Sequence, residues 1–124
     1  MSQAKRDCLF LALSALWGFL GVIGLAMGAH ISPLLSTAGS FLLWHAVVVM
    51  AVLALKSHFT HIGFKPDLAL LLLLSGSAIF ALELTLHALS GQALAILAPI
   101  GGLLTLSGWL VLLYIALKGF VKTP

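Results

Sequence analysis

The sequence predicts an all-α fold: a polytopic transmembrane bundle of four helices with both termini on the cytoplasmic side. Three observations carry this. Of the 124 residues, 62% are hydrophobic and 7% charged, with a mean hydropathy of +1.23. A soluble domain this small would need more polar surface to cover its core. The apolar residues also fall in four continuous runs, near 8–28, 38–55, 67–88 and 93–117, each close to the ~20 residues that a helix needs to cross ~30 Å of hydrocarbon. Finally, all six Lys and Arg residues lie before the first run, between the second and third, or at the end of the fourth. Continuous rather than alternating runs select helices, which satisfy their own backbone within lipid.

The basic residues also give direction. Segments 29–37 and 89–92 hold no Lys or Arg, whereas the N-terminus, the 56–66 loop and the C-terminus hold them all. An excess of positive charge marks the cytoplasmic face, so the expectation is a single-domain multi-pass protein of the bacterial inner membrane. The net charge of +3 is distributed as Lys5/Arg6, Lys56/Lys65 and Lys118/Lys122. Pairs that flank apolar runs suit lipid headgroups and leave no nucleic-acid footprint. The single cysteine, Cys8, has no partner for an intrachain disulfide.

The first run is longer than the apolar core of a secretory signal, about 7–15 residues, so a retained span is expected; Ala26-Met27-Gly28 is the alternative cleavage site. Ser14, Gly18, Gly21 and Gly28 recur on one helix face, and Gly24 adds a GxxxG spacing with Gly28. In lipid such a face lets a second helix approach closely. Pro33 is expected to hold a turn between the first two spans, with His30 at the outer interface.

The second run carries Trp44, expected at the headgroup boundary, and His45, expected one or two turns inside it. A histidine inside the membrane is either functional or a hydrogen-bonding partner of a neighbouring helix. In the inner loop His58 and His61 form an HxxH pair, too little to bind a metal without other ligands. Phe59, Phe64, Lys56 and Lys65 read as interfacial anchors.

The third run holds Glu83, the one acid within the apolar stretches, with His87 a turn later. Gly76, seven residues before Glu83, shares its face, so a helix contact at Gly76 turns Glu83 toward protein. Counting ~1.5 Å per residue from the outer ends places Glu83 about 8 Å deep and His45 about 10 Å deep. That depth match predicts that the two meet, with His30 and His87 at the mouth. Such a cluster suits a proton relay or a divalent metal; its bland alternative is an interhelical hydrogen bond that fixes helix register. A haem between His45 and His87 fits the estimated depths poorly.

In the fourth run Pro99 lies near the helix start, and Ala98, Gly101, Thr105 and Gly108 form a small face with Trp109 beside it. Pro99-Ile100-Gly101-Gly102 followed by Gly108-Trp109 resembles the "TPiGG…GW" signature of the DUF423 (UPF0382) family of small membrane proteins. Ala26-Met27-Gly28-Ala29-His30 resembles its "G-A-F-G-A-H", and Trp44-His45-Ala46 is similar to its "Y-x-x-x-H-a". The resemblance implies a four-helix inner-membrane protein of uncharacterised function and supplies no catalytic residues. Where that family has "F-S-G-S-L-Y" in the third span, an alignment on Gly76 and Phe80 sets Glu83 opposite a small hydroxyl residue.

No P-loop, GxSxG, CxxC or hydrolytic acid pair is present. The expected function is therefore non-enzymatic and without a cofactor: a bundle or accessory subunit that packs with itself or within a larger membrane complex. Two alternatives stand beside it. One is a small proton-coupled transporter or ion pathway using Glu83 and His45; the other is a metal- or haem-binding subunit.

Overall fold

A computed structural model describes residues 1–123, and its regular elements are all helical. Four long helices follow in order: α1 (Gln3–Gly28), α2 (Pro33–Lys56), α3 (Asp67–Ser90) and α4 (Leu97–Lys122). A 3₁₀ segment, Ser57–Ile62, continues α2 into the connection to α3. Each of the four is long and apolar enough to cross a membrane.

Two helix starts differ from expectation, and proline explains both. Pro33 does not hold a turn; it is the first residue of α2, five residues before the expected boundary. Ser32 is extended and its Oγ accepts the Leu34 amide at 3.3 Å, while the missing N–H of Pro33 costs nothing in the first turn. Conversely, α4 begins at Leu97 rather than residue 93. A start at 93 would place Pro99 in the second turn, against the carbonyl of Ala95 that it cannot bond. Gly91, in the left-handed region at φ 72°, closes α3 by donating its amide to the His87 carbonyl at 2.9 Å.

The helices form two hairpins. α1 packs along α2 and α3 along α4; α2 and α3 join the hairpins, and α1 makes little contact with α3 and none of substance with α4. Both hairpins close through glycine. A Cβ on Gly39 would lie 2.6 Å from the Gly21 carbonyl and 2.7 Å from the Leu25 amide, and Gly28 lies against Ser36. A Cβ on Gly101 would lie 2.5 Å from the Phe80 amide, and one on Gly76 2.6 Å from the Thr105 amide. Gly108 lies against the Leu73 side chain. Gly18 is not part of this contact, because a side chain there would meet nothing within 4 Å. At 100° per residue it lies about 80° around the helix from Gly28, on the flank of the face.

The core sits toward the end that carries the chain termini. Val49, Leu70, Leu73 and Leu74 are buried there, with Phe10, Leu13, Trp17 and Leu112 packed around them. The same end is tied by charge. Lys56 Nζ donates to Asp7 Oδ1 and to Asp67 Oδ1, each at 2.7 Å, and Arg6 Nε donates to Asp67 Oδ2 at 3.2 Å. Arg6 and Lys56 are thus neutralised within the protein rather than left to lipid headgroups. Gly119 lies against Ile62, which brings the end of α4 to the same side. At the opposite end α3 stands off from the closed α1–α2 pair and leaves an opening of about 400 Å³ between them.

Candidate functional site

His45 is 7% exposed, held on the α2 face that turns toward α3 and α4. Its Nδ1 lies 2.6 Å from the Phe41 carbonyl, and Trp109 Nε1 approaches its Nε2 at 3.4 Å. A carbonyl only accepts and an indole only donates, so the two contacts assign a neutral ring with the proton on Nδ1. Phe41 fills the space between His45 and α3, its ring centroid 4.5 Å from His45 and 4.3 Å from Phe80. With both ring nitrogens engaged, His45 has no free lone pair for a metal or a haem.

His45 therefore pairs with Trp109, not with Glu83. The reason is the start of α2. His45 lies twelve residues after Pro33 and Trp109 twelve after Leu97, so each is about 18 Å along its helix from the same end of the bundle. Glu83 is seven residues from the end of α3, about 10 Å. Trp44 moves with His45. It is 70% exposed near the middle of α2, on the outer side of the bundle and further from the helix start than the expected span placed it.

Glu83 is 4% exposed. Among the described residues its carboxylate makes no hydrogen bond or ion pair, which removes the interhelical hydrogen bond expected as its bland role. The antiparallel register explains its surroundings. Gly76 faces Gly101 and Thr105, so seven residues later Glu83 is level with Leu97, the first residue of α4. That is the positive end of a helix dipole. His87 is half-buried one turn further on, and His30 is exposed in the turn after α1.

The four polar residues thus do not assemble. Among the described residues no three His, Cys, Asp or Glu side chains come together to hold a metal. His58 and His61 are exposed on the 3₁₀ segment. The opening between α1, α2 and α3 is lined by Trp17, Gly24, Leu35, Gly39, Ala81 and Thr85 among others. Its two polar side chains are already satisfied: Thr85 Oγ1 donates to the Ala81 carbonyl at 2.7 Å and Trp17 Nε1 to the Leu74 carbonyl at 3.0 Å. It offers shape and apolar surface, with no group placed for chemistry.

Sequence reasoning missed three features. Gly39 stands alone in its run and shows no spacing motif, although Ser36 three residues earlier makes a small face with it. Trp109 was visible only as an aromatic beside the small face of the fourth run, and its donor needed the depth of His45. The Asp7–Lys56–Asp67–Arg6 knot joins residues up to 61 positions apart, and its one signal was that two of the three acids lie at span ends.

Two glycine-closed hairpins of membrane-spanning length define a small multi-pass membrane protein. The model of the DUF423 family, described as a protein of unknown function, matches residues 20–102, about two-thirds of the chain. The chain belongs to that family. The matched stretch takes in the α1–α2 glycine contact, Gly76 and Gly101 of the other, His45 and Glu83, and ends before Thr105, Gly108 and Trp109. No curated protein and no solved structure matches the chain.

Proposed function

We propose that this DUF423 protein is a non-enzymatic accessory subunit of the bacterial inner membrane, with both termini cytoplasmic, that packs through its outer helices with a second copy or a larger membrane complex. One observation carries the reading: α1 and α4 flank the bundle without packing on each other. Phe19 and Val22 on α1, and Leu103, Leu106 and Leu110 on α4, are each more than half exposed. The glycine faces that first suggested association are used inside the hairpins, so association rests on van der Waals packing of these outer faces against a partner. Crosslinking in membranes followed by purification in mild detergent tests the reading. Expected is a discrete dimer or a stoichiometric co-purifying protein; a strictly monomeric protein without a partner overturns it. Labelling of cysteines placed at residues 2, 61 and 123 tests orientation, all three being accessible from the cytoplasm alone.

A second reading is favoured by Glu83, because an acid inside a membrane bundle without a partner marks an ion or proton site by default. Here Glu83 would take up and release a cation or proton beside the start of α4, with His45 set apart from it. Flux in reconstituted vesicles tests this. Transport by the wild type that Glu83→Gln abolishes supports it, and equal flux in the two proteins overturns it.

A further inference from the structure

The charge at the terminal end of the bundle is divided unequally. At the α1–α2–α3 corner two cations meet two carboxylates and cancel. At the corner between the 3₁₀ connection and the end of α4, Lys65, Lys118 and Lys122 line one hollow of about 210 Å³ together with Phe64 and Tyr114. No acidic residue lines it. Of the three acidic side chains, Asp7 and Asp67 are held by Lys56 and Arg6, Asp67 lining a neighbouring hollow that Lys65 also borders, and Glu83 lies toward the opposite end of α3. All three lysines are exposed, and the Lys118 ammonium sits 5.9 Å above the centre of the Tyr114 ring.

Apolar surface continues directly from this hollow. A groove of about 380 Å³ runs along α4 past Tyr114, Leu117 and Val121 and shares Lys118 and Lys122 with it. Its surface is almost wholly apolar, and Tyr114, Leu117 and Val121 are each more than half exposed. Three cations that form no ion pair among the described residues, above an open apolar groove, complement a molecule with an anionic head and an alkyl body. A soluble anion would use only the upper half.

We infer that the corner formed by Lys65, Lys118 and Lys122 is a binding site for an anionic phospholipid, with the phosphate among the three ammonium groups and an acyl chain along α4 from Tyr114 to Val121. Basic hollows beside transmembrane helices hold anionic headgroups through this combination of charge and interfacial position. The neutralised Arg6–Lys56 corner, equally basic by sequence, does not.

The test uses the full chain in mild detergent, offered phosphatidylglycerol and phosphatidylcholine at equal concentration, with retained lipid read by native mass spectrometry. A lysine near the surface is worth about fivefold toward an anionic lipid, so the wild type should prefer phosphatidylglycerol by on the order of a hundredfold. The triple variant Lys65→Gln/Lys118→Gln/Lys122→Gln should fall to near parity, and the triple Lys→Arg variant at the same positions should keep the preference, as should Lys5→Gln. Equal preference in the wild type and the Gln variant overturns the site. Displacement of the lipid by an equal concentration of inorganic phosphate overturns a lipid in favour of a soluble anion.

Discussion

Trp109 Nε1 donates to His45 Nε2 at 3.4 Å, across helices α2 and α4 whose backbones do not pack closely. The bond is long, and hydrogen bonds between membrane helices average about 0.6 kcal/mol. Its weight lies in where it is made: it is the described side-chain hydrogen bond that links the first hairpin to α4. A double-mutant cycle of His45→Phe and Trp109→Phe, read by unfolding in bicelles, should give a coupling of about 0.5–1.5 kcal/mol. The same cycle between His45→Phe and Glu83→Gln should give none.

Glu83 gives a smaller effect than its depth suggests. The residue is 4% exposed, yet among the described residues no fully buried side-chain oxygen lacks a partner, so its carboxylate keeps an edge open at the bundle surface. Glu83→Gln should therefore change stability by less than ~1 kcal/mol, seen as a nearly unchanged midpoint in the same unfolding measurement. A larger loss would show that the carboxylate is held by a partner.

The glycines divide by position. Gly76→Leu and Gly101→Leu drive a side chain into the opposing backbone and should each cost at least 1–3 kcal/mol, the usual cost of overpacking, ~2 on average. Gly102→Ala, where nothing lies within 4 Å, should gain up to ~1 kcal/mol from helix propensity alone. The contrast between neighbours 101 and 102 separates helix contact from helix formation.

The charged knot predicts a salt-dependent asymmetry. Lys56 contacts both carboxylates and its side chain is 13% exposed, against 38% for Arg6. Lys56→Met leaves Asp67 with Arg6 and Asp7 with only the Gln3 side-chain amide, and should cost more than Arg6→Met, by about 1 kcal/mol at low salt. The difference should shrink in 1 M salt, where the screening length falls to about 3 Å.

Much of the fold was legible because hydropathy is a local property. Continuous apolar runs give helices, and basic residues between them mark the ends. The candidate site was legible in its residues and not in their pairing. His45 and Glu83 were matched by depth, and depth depends on where each helix begins. Moving the start of α2 from residue 38 to Pro33 shifts His45 by five residues, about 7 Å, which is enough to exchange Glu83 for Trp109. The signal that resolves it is local: Ser32 before Pro33 is a cap followed by a favoured first residue. The ion pairs had no such signal, since they depend on which helix ends converge.

The knot also bears on the order in which the protein is built. The first hairpin contains its own glycine contact, Gly21 against Gly39, and its own ion pair, Lys56 with Asp7. Neither needs any residue beyond 56. Asp67, the first residue of α3, is the one side chain of the second hairpin in that knot. The second hairpin therefore needs only its first residue to engage the first, whereas its own closure, Gly76 against Gly101, needs the chain as far as α4.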